Sequence, residues 1–360
     1  MIYLDHQATT PLAPEALAAM LPWLERQHAN PHSPHAPGRA ARAAVEVARD
    51  AIAAQMPPDG RVAFTSGATE ALNWAIKGTA GPIVTIATEH AAVLDTAAAT
   101  GRPVRGLPVG RDGIVDMDAA RAAIVPGTGL VAAMLVNNEI GVVQPIAELA
   151  ALAHDAGALM LCDAVQGYGR TPIPEGCDLI AVSAHKIYGP KGIGALWIRD
   201  GIDLAPLLHG GGQEAPGRSG TLSPALCAGF GAAARLVRAR MEADAAHVGR
   251  LFDRALAVLG DGWTLNGSAI ERWRGNLNVR RDGLDVARLM SECRDIAFSA
   301  GSACASGSGR SSHVLRAIGL TEIQARSSIR IGFGRDTTEE DLIDALTRID
   351  AAARAQRIAA

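Results

Sequence analysis

The chain has 360 residues, 48% hydrophobic and 20% charged, enough to bury a large core and to build two domains. Its 34 Lys and Arg against 37 Asp and Glu leave a net charge of -3 with no basic run, so neither nucleic acid nor an anionic membrane is expected as a main partner. Met1–Asp5 enters a strand at once, with no positive n-region followed by an apolar h-region, no apolar run approaches a membrane span, and Cys162, Cys177, Cys227, Cys293 and Cys304 lack the spacing of a disulfide framework or zinc site, so a cytoplasmic protein is expected.

Residues 1 to 13 read as a short strand and an N-terminal arm, with a first helix starting near Glu15. An irregular loop, Asn30 to Gly38, precedes a helical pattern from Arg39 to Met56. From Arg61 onward, short apolar strands alternate with helices. Val62 to Thr65 leads to a helix from Thr69, Ile83 to Thr88 to one from Ala91, and Leu130 to Val136 to one from Ile146. Strands at Ala158 to Leu161, Leu179 to Val182 and Ala195 to Ile198 follow. This alternation predicts a mostly parallel sheet covered by helices, with ligands collecting beyond the carboxyl ends of the strands. Polar clusters fall at those ends: Ser66 to Glu70, Thr88 to His90, Asn137 to Glu139, Asp163 with Gln166, and Ser183 to Lys186.

Within these clusters, Ser66-Gly67-Ala68-Thr69 runs straight into a helix and would turn backbone N–H groups toward an anion such as a phosphate, a role compatible with Thr69 as an ordinary helix cap. Asp163 ends one apolar strand and Lys186 follows another. A lysine there needs a partner carboxylate, a depressed pKa or a covalent bond through its neutral amine. The pair suits pyridoxal phosphate, whose aldehyde takes a lysine amine and whose ring nitrogen takes an acid, and Ser183 and His185 would add donors for its phosphate. A structural Asp–Lys ion pair closed by the Gly189-Pro190 turn accounts for the same two residues. The Gly-rich run from Leu208 to Leu222 by itself resembles any surface loop.

Residues 224 to 259 form one long helical pattern, broken near Ala243, which marks the passage into a second domain. Strand Asn276 to Val279, helix Val286 to Cys293, strand Ile296 to Ser299, helix Ser312 to Ile318, strand Ile329 to Phe333 and helix Glu339 to Ala353 predict a smaller α/β unit. Between Ser299 and Ser312 the chain is small and polar around one thiol, Cys304, a composition that packs no core and is expected to be mobile. A thiol in such a loop suits a nucleophile that must travel; the alternative is an incidental exposed cysteine. Arg330, in a strand, suits a carboxylate, although a salt-bridged surface arginine has the same pattern.

Taken together, Tyr3-Leu4-Asp5 with Ala8 to Pro11, Phe64 to Glu70, Thr88-Glu89-His90 with Ala92 to Asp95, Val136 to Gly141, His185 to Gly192, Arg218 to Thr221 and Gly301 to Cys304 resemble the cysteine desulfurases of the NifS and IscS group, within the fold-type I pyridoxal-phosphate enzymes. The resemblance implies an α/β fold with a mainly parallel seven-stranded sheet sandwiched by helices. It implies a large cofactor-binding domain over residues 14–240 and a small one from 1–13 and 241–360 that carries the 299–312 loop. Lys186 would be the Schiff-base lysine, Asp163 the pyridinium partner, and His90 the imidazole that stacks on the ring and handles protons. Gln166 and Asn138 would bind the ring oxygen and the substrate side. Ala68, Thr69, Ser183 and His185 would hold the phosphate, joined by Thr221 from the other subunit of a homodimer, and Arg330 would clamp the carboxylate of L-cysteine. Cys304 would attack the substrate sulfur, release alanine and keep a persulfide, passed to an acceptor or scaffold protein for iron–sulfur cluster or other sulfur-containing cofactor biosynthesis. No resident metal is implied, though that persulfide could ligate a partner's iron–sulfur cluster. Departures from the group's pattern are Val165 for Thr, Ala184 for Gly, an Asn30 to His35 loop about one residue shorter, and a chain stopping near Ala360 without the extension that helps longer members bind a scaffold. A selenocysteine lyase, a small aminotransferase of the same fold and a silent persulfide carrier are the rivals; Cys304 speaks against the aminotransferase, and Lys186, Asp163 and His90 against the carrier. A nicotinamide-binding Rossmann protein fails for want of Gly-x-Gly-x-x-Gly.

Overall fold

A computed structural model describes residues 1–214, 217–301 and 312–356. The first part of the chain runs β1 (Ile2–Tyr3), α1 (Pro14–Glu25), α2 (Ala36–Ala53), β2 (Gly60–Thr65), α3 (Ala68–Gly78), β3 (Ile83–Ile86), α4 (Ala91–Ala99), β4 (Val104–Leu107), α5 (Met117–Ala123), β5 (Leu130–Met134), α6 (Ile146–Asp155), β6 (Leu159–Asp163), β7 (Leu179–Ser183) and β8 (Gly194–Arg199). After α7 (Pro224–Leu259) come β9 (Thr264–Leu265), β10 (Asn276–Arg280), α8 (Val286–Glu292), β11 (Ile296–Ala297), β12 (Ser299–Ala300), α9 (His313–Ala317), α10 (Glu322–Arg326), β13 (Ser328–Gly332) and α11 (Glu339–Ala355).

Among the described residues, seven strands form the main sheet in the order β2-β8-β7-β6-β5-β3-β4. β8 runs antiparallel to both neighbours and the other pairs run parallel to one another, as the βα alternation predicts. Both faces are covered, and period-two alternation decides which side chain goes where. Val62, Phe64, Ile180, Val182 and Trp197 join the core on one face. Ala63, Leu179, Ala181, Leu196 and Ile198 join Trp74 and Ile76 of α3 on the other. A smaller antiparallel sheet, β12-β13-β10-β9, follows, and β1 pairs in parallel with β11.

The structure departs from the sequence expectations at several places. The helix over 224–259 is continuous through Ala243, because its buried stripe resumes at Val248, Leu251, Phe252 and Ala255 against the second half of the chain. The expected strand Ile296 to Ser299 is two short strands serving different sheets, β11 with β1 and β12 with β13. The helix expected from Arg39 begins at Ala36, where the His35 ring accepts from the Gly38 N–H and Pro37 sits in the first turn, a position that needs no donor. Strand β4 and helices α5 and α10 were not anticipated.

Candidate active site

Because β2, β3, β5, β6 and β7 are parallel, their carboxyl ends open on one edge of the sheet. β8, running the other way, brings its first residue, Gly194, to that same edge between Thr65 and Ser183. A cavity of about 620 Å³ lies there, lined among others by Thr69, His90, Asn138, Asp163, Lys186 and Arg330. Ala68, Gln166, Ser183 and His185 also line it, so ten of the twelve site residues named from the sequence meet here; of the other two, Thr221 is exposed just ahead of α7 and does not line this cavity. Cys304 and most of its loop lie outside the described residues. The loop's ends are held more firmly than its composition suggests. Ser299 and Ala300 pair with Arg330 and Ile329, and Ser312 is buried with its hydroxyl donating to Glu139 Oε2 at 2.5 Å.

The floor of the cavity is acidic. Asp163 ends β6 as a buried carboxylate, with Oδ1 accepting the Val165 N–H at 3.0 Å. Burial holds its pKa above the usual carboxylate range, while His90, the Val165 N–H and Lys186 work in the other direction. Glu89 is fully buried nearby, accepting from the Met134 and His90 N–H groups, and burial together with Asp163 keeps it well above the range. The sequence had shown Glu89 only as part of a polar cluster.

His90 caps α4: its Nδ1 accepts the Ala92 N–H at 3.1 Å, so in the neutral ring the proton is on Nε2. Burial lowers its pKa, assisted by Lys186 and His313. Lys186 Nζ donates to the carbonyls of Gln7 and Ala8 at 2.6 and 2.7 Å, while its own carbonyl accepts from Arg170 at 2.9 Å. The N-terminal arm therefore forms one wall. Its Thr10 hydroxyl donates to the His185 carbonyl at 2.9 Å and accepts the Tyr188 N–H at 2.7 Å, steadying Tyr188 at the left-handed φ of 67° that follows the lysine. Gln166 Nε2 reaches the Gln7 carbonyl, and His185 Nδ1 lies 3.1 Å from Thr9 Oγ1. Burial, with Lys186 and Lys191 adding to it, takes His185 down to about 4.

Opposite the lysine, the first N–H groups of α3 have no helical carbonyl before them. Gly67 precedes that helix with open space where a Cβ would stand, which leaves room for a group to approach the backbone. Glu70 ties the loop down, accepting the Ser66 N–H at 2.6 Å and pairing with Arg218 at 2.8 Å.

Arg330 is neither exposed nor on an edge: it is 1% exposed in the central part of the small sheet, paired with Asp5 at 2.8 Å and donating to the Asn138 carbonyl at 3.1 Å. Its Nε has no partner among the described residues, leaving donor capacity for a carboxylate. An amine, a buried acid behind it, a helix N-terminus and a guanidinium thus surround one cavity, and this donor set fits pyridoxal phosphate and an amino-acid substrate. Among the described residues no group of three metal-ligating side chains occurs, and no helix is long and apolar enough to cross a membrane.

Residues 2–346 match the class-V aminotransferase family. The cysteine desulfurase IscS of Rickettsia bellii (strain OSU 85-389) is 43% identical over 361 residues, spanning 95% of this chain and 88% of its own. Among solved structures, a NifS-like protein from Rickettsia africae ESF-5 superposes with a TM-score of 0.90 at 29% identity, covering 97% of this chain and 99% of its own. DndA from Streptomyces lividans does so with a TM-score of 0.78 at 34% identity, covering 91% and 98%.

Proposed function

The chain belongs to the class-V aminotransferase family and is a pyridoxal-phosphate-dependent cysteine desulfurase, and from that premise we propose the part each pocket residue plays. The observation that carries the reading is the meeting of the Lys186 amine, the Asp163 carboxylate and the α3 N-terminus around one cavity. Bound pyridoxal phosphate supplies an aldehyde for amines and a ring that accepts electrons from the substrate Cα–H bond.

Asp163 holds a proton at the ring nitrogen. A cationic neighbour there favours its ionised form and offsets the burial that otherwise keeps the carboxyl protonated. His90, with its proton on Nε2, stacks on the ring and exchanges protons with the substrate side. Ala68, Thr69, Ser183 and His185 receive the phosphate, with Thr221 of a second subunit completing the cradle of a homodimer. Lys186, whose Nζ donates to the Gln7 and Ala8 carbonyls, would hold the cofactor through that amine, and the same Nζ would be the base that takes up the Cα proton. Arg330, braced by Asp5, binds the carboxylate of L-cysteine beside Asn138, and Gln166 binds the ring oxygen.

Cys304 provides the nucleophile. Its thiolate forms a bond to the substrate sulfur as the Cβ–S bond breaks, so the electron pair of that bond stays with the alanine fragment and Cys304 keeps the persulfide. Three peptide units limit its Cα to about 11 Å from that of Gly301, which directly follows β12, the strand paired with Arg330 and Ile329. The persulfide then passes to an acceptor protein serving iron–sulfur or other sulfur-containing cofactor assembly in the cytoplasm. In this reading residues 14–240 form the cofactor domain and 1–13 with 241–360 the small one, so the boundary passes through the middle of α7.

The purified protein should be yellow and release one alanine per sulfur removed from L-cysteine, and borohydride should fix the cofactor to the peptide containing Lys186. Lys186→Ala should abolish both colour and turnover; cofactor fixed to another lysine would overturn the assignment.

A further inference from the structure

A second, smaller cavity of about 20 Å³ lies behind the catalytic lysine, on the far side of its backbone. Its polar lining comes from His6 of the arm, Arg170 of the turn after β6, Lys186 and Tyr188, Asp244 of α7 and Arg335 just after β13, and its apolar lining includes Val237, Val248, Trp273 and Phe333. A space of that size admits one small species.

The charges around it do not balance. Arg335 has an 8% exposed side chain and pairs with Asp244 through Nη2 at 2.9 Å. Its Nε and Nη1 are buried without a hydrogen-bond partner among the described residues; His6 Nε2 is also unpartnered, but with Nδ1 donating to the Gly332 carbonyl it is an acceptor and adds no donor. The guanidinium also lies 3.9 Å from the centroid of the Tyr188 ring, which accounts for its stacking but not for those N–H groups. Arg170 donates to the carbonyls of Gln166 and Lys186 and to the Gln166 side chain, and no carboxylate among the described residues pairs with it. Two guanidinium groups thus face one carboxylate. Burying the N–H donors of a guanidinium, which is always charged, without an acceptor is costly. Water would satisfy the donors, but an anion satisfies both donors and charge.

We propose that this cavity is a binding site for a small monovalent anion of the halide class, held between Arg170 and Arg335. An anion there would steady Arg170, which in turn fixes the Lys186 carbonyl and the Gln166 side chain at the edge of the cofactor cavity. The inference concerns a structural site and does not rest on the roles proposed for the cofactor cavity.

Crystals of the cofactor-loaded protein grown in sodium bromide, measured at the bromine absorption edge, should show one anomalous peak between the two guanidinium groups. In solution the unfolding temperature should rise saturably with sodium bromide relative to sodium gluconate at equal ionic strength, and Arg335→Gln should remove both the peak and the rise. An ordered water in place of bromide, a peak that survives in Arg335→Gln, or a peak without the solution response, meaning binding at crystal concentration only, would each overturn the proposal.

Discussion

Gly194→Ala is a single methyl group aimed at the phosphate cradle from behind. A Cβ at this position would lie 2.7 Å from both Cα and C of Gly67 and 2.7 Å from the Val182 carbonyl. Carbon atoms in contact sit about 3.5–4.0 Å apart, so something has to retreat by ~1 Å. Val182 is held inside β7, paired with Ala195 of β8, whereas Gly67 belongs to the turn between β2 and α3, so the turn is what yields. Overpacking of this kind costs about 1–3 kcal/mol. Charged to the position of the α3 N-terminus, that amount lowers affinity for a phosphate-bearing cofactor by about 5- to 150-fold, at 1.4 kcal/mol per tenfold. The assay is titration of the cofactor-free protein with pyridoxal phosphate and, in parallel, with pyridoxal, followed by absorbance. Pyridoxal has no phosphate to place, so its affinity should change less than about threefold. Equal losses for the two ligands, or none for either, would refute the assignment of the Ser66 to Thr69 turn as the phosphate site.

Acid should expose His6. Burial takes this histidine from 6.5 down to about 4, and its ring lies 3.0 Å from the Gly332 carbonyl through Nδ1. The unfolded chain takes up the proton near pH 6.5 and the native one only near pH 4, so stability present above 6.5 is lost as pH falls through that window, by up to about 3 kcal/mol. Urea unfolding between pH 7 and 4.5 should show a shallower pH dependence in His6→Asn, and identical slopes would remove His6 as the cause. Cys304→Ser should keep cofactor colour and lose alanine release. Mass spectrometry of the native protein after one turnover without reductant should find one added sulfur on the Cys304 peptide; sulfur on Cys162, Cys177, Cys227 or Cys293, all buried, would exclude the relay.

The sequence announced the main sheet because strands covered on both faces are apolar throughout, as in β5, β6 and β7, and their polar ends are abrupt. β4 escaped for the opposite reason: it is an edge strand with Val104, Arg105 and Gly106 exposed, so it carries no apolar run. The continuity of α7 was hidden by Glu242 to His247, whose small and polar residues read as a break although nothing there stops a helix. The cavity-lining side chains were legible because their chemistry is unusual for strand ends. The contribution of Gln7 and Ala8 was not, since they present backbone carbonyls, which every residue has. Arg330 was legible as a candidate carboxylate ligand but not as a buried residue, because its partner Asp5 lies at the other end of the chain.

That union of the two ends bears on how the enzyme is made. Ile2 pairs with Ile296, and the Gly332 N–H donates to the Leu4 carbonyl. A ribosome adding roughly 5–20 residues per second needs some 15 to 60 seconds to go from the first of these partners to the last. Through that interval the segment that will wall the cofactor cavity has emerged without the strands that hold it, so the nascent protein has no finished site for its coenzyme until synthesis is nearly over. A short extension fused ahead of Met1 would travel with that waiting segment and would be felt first in coenzyme loading during expression.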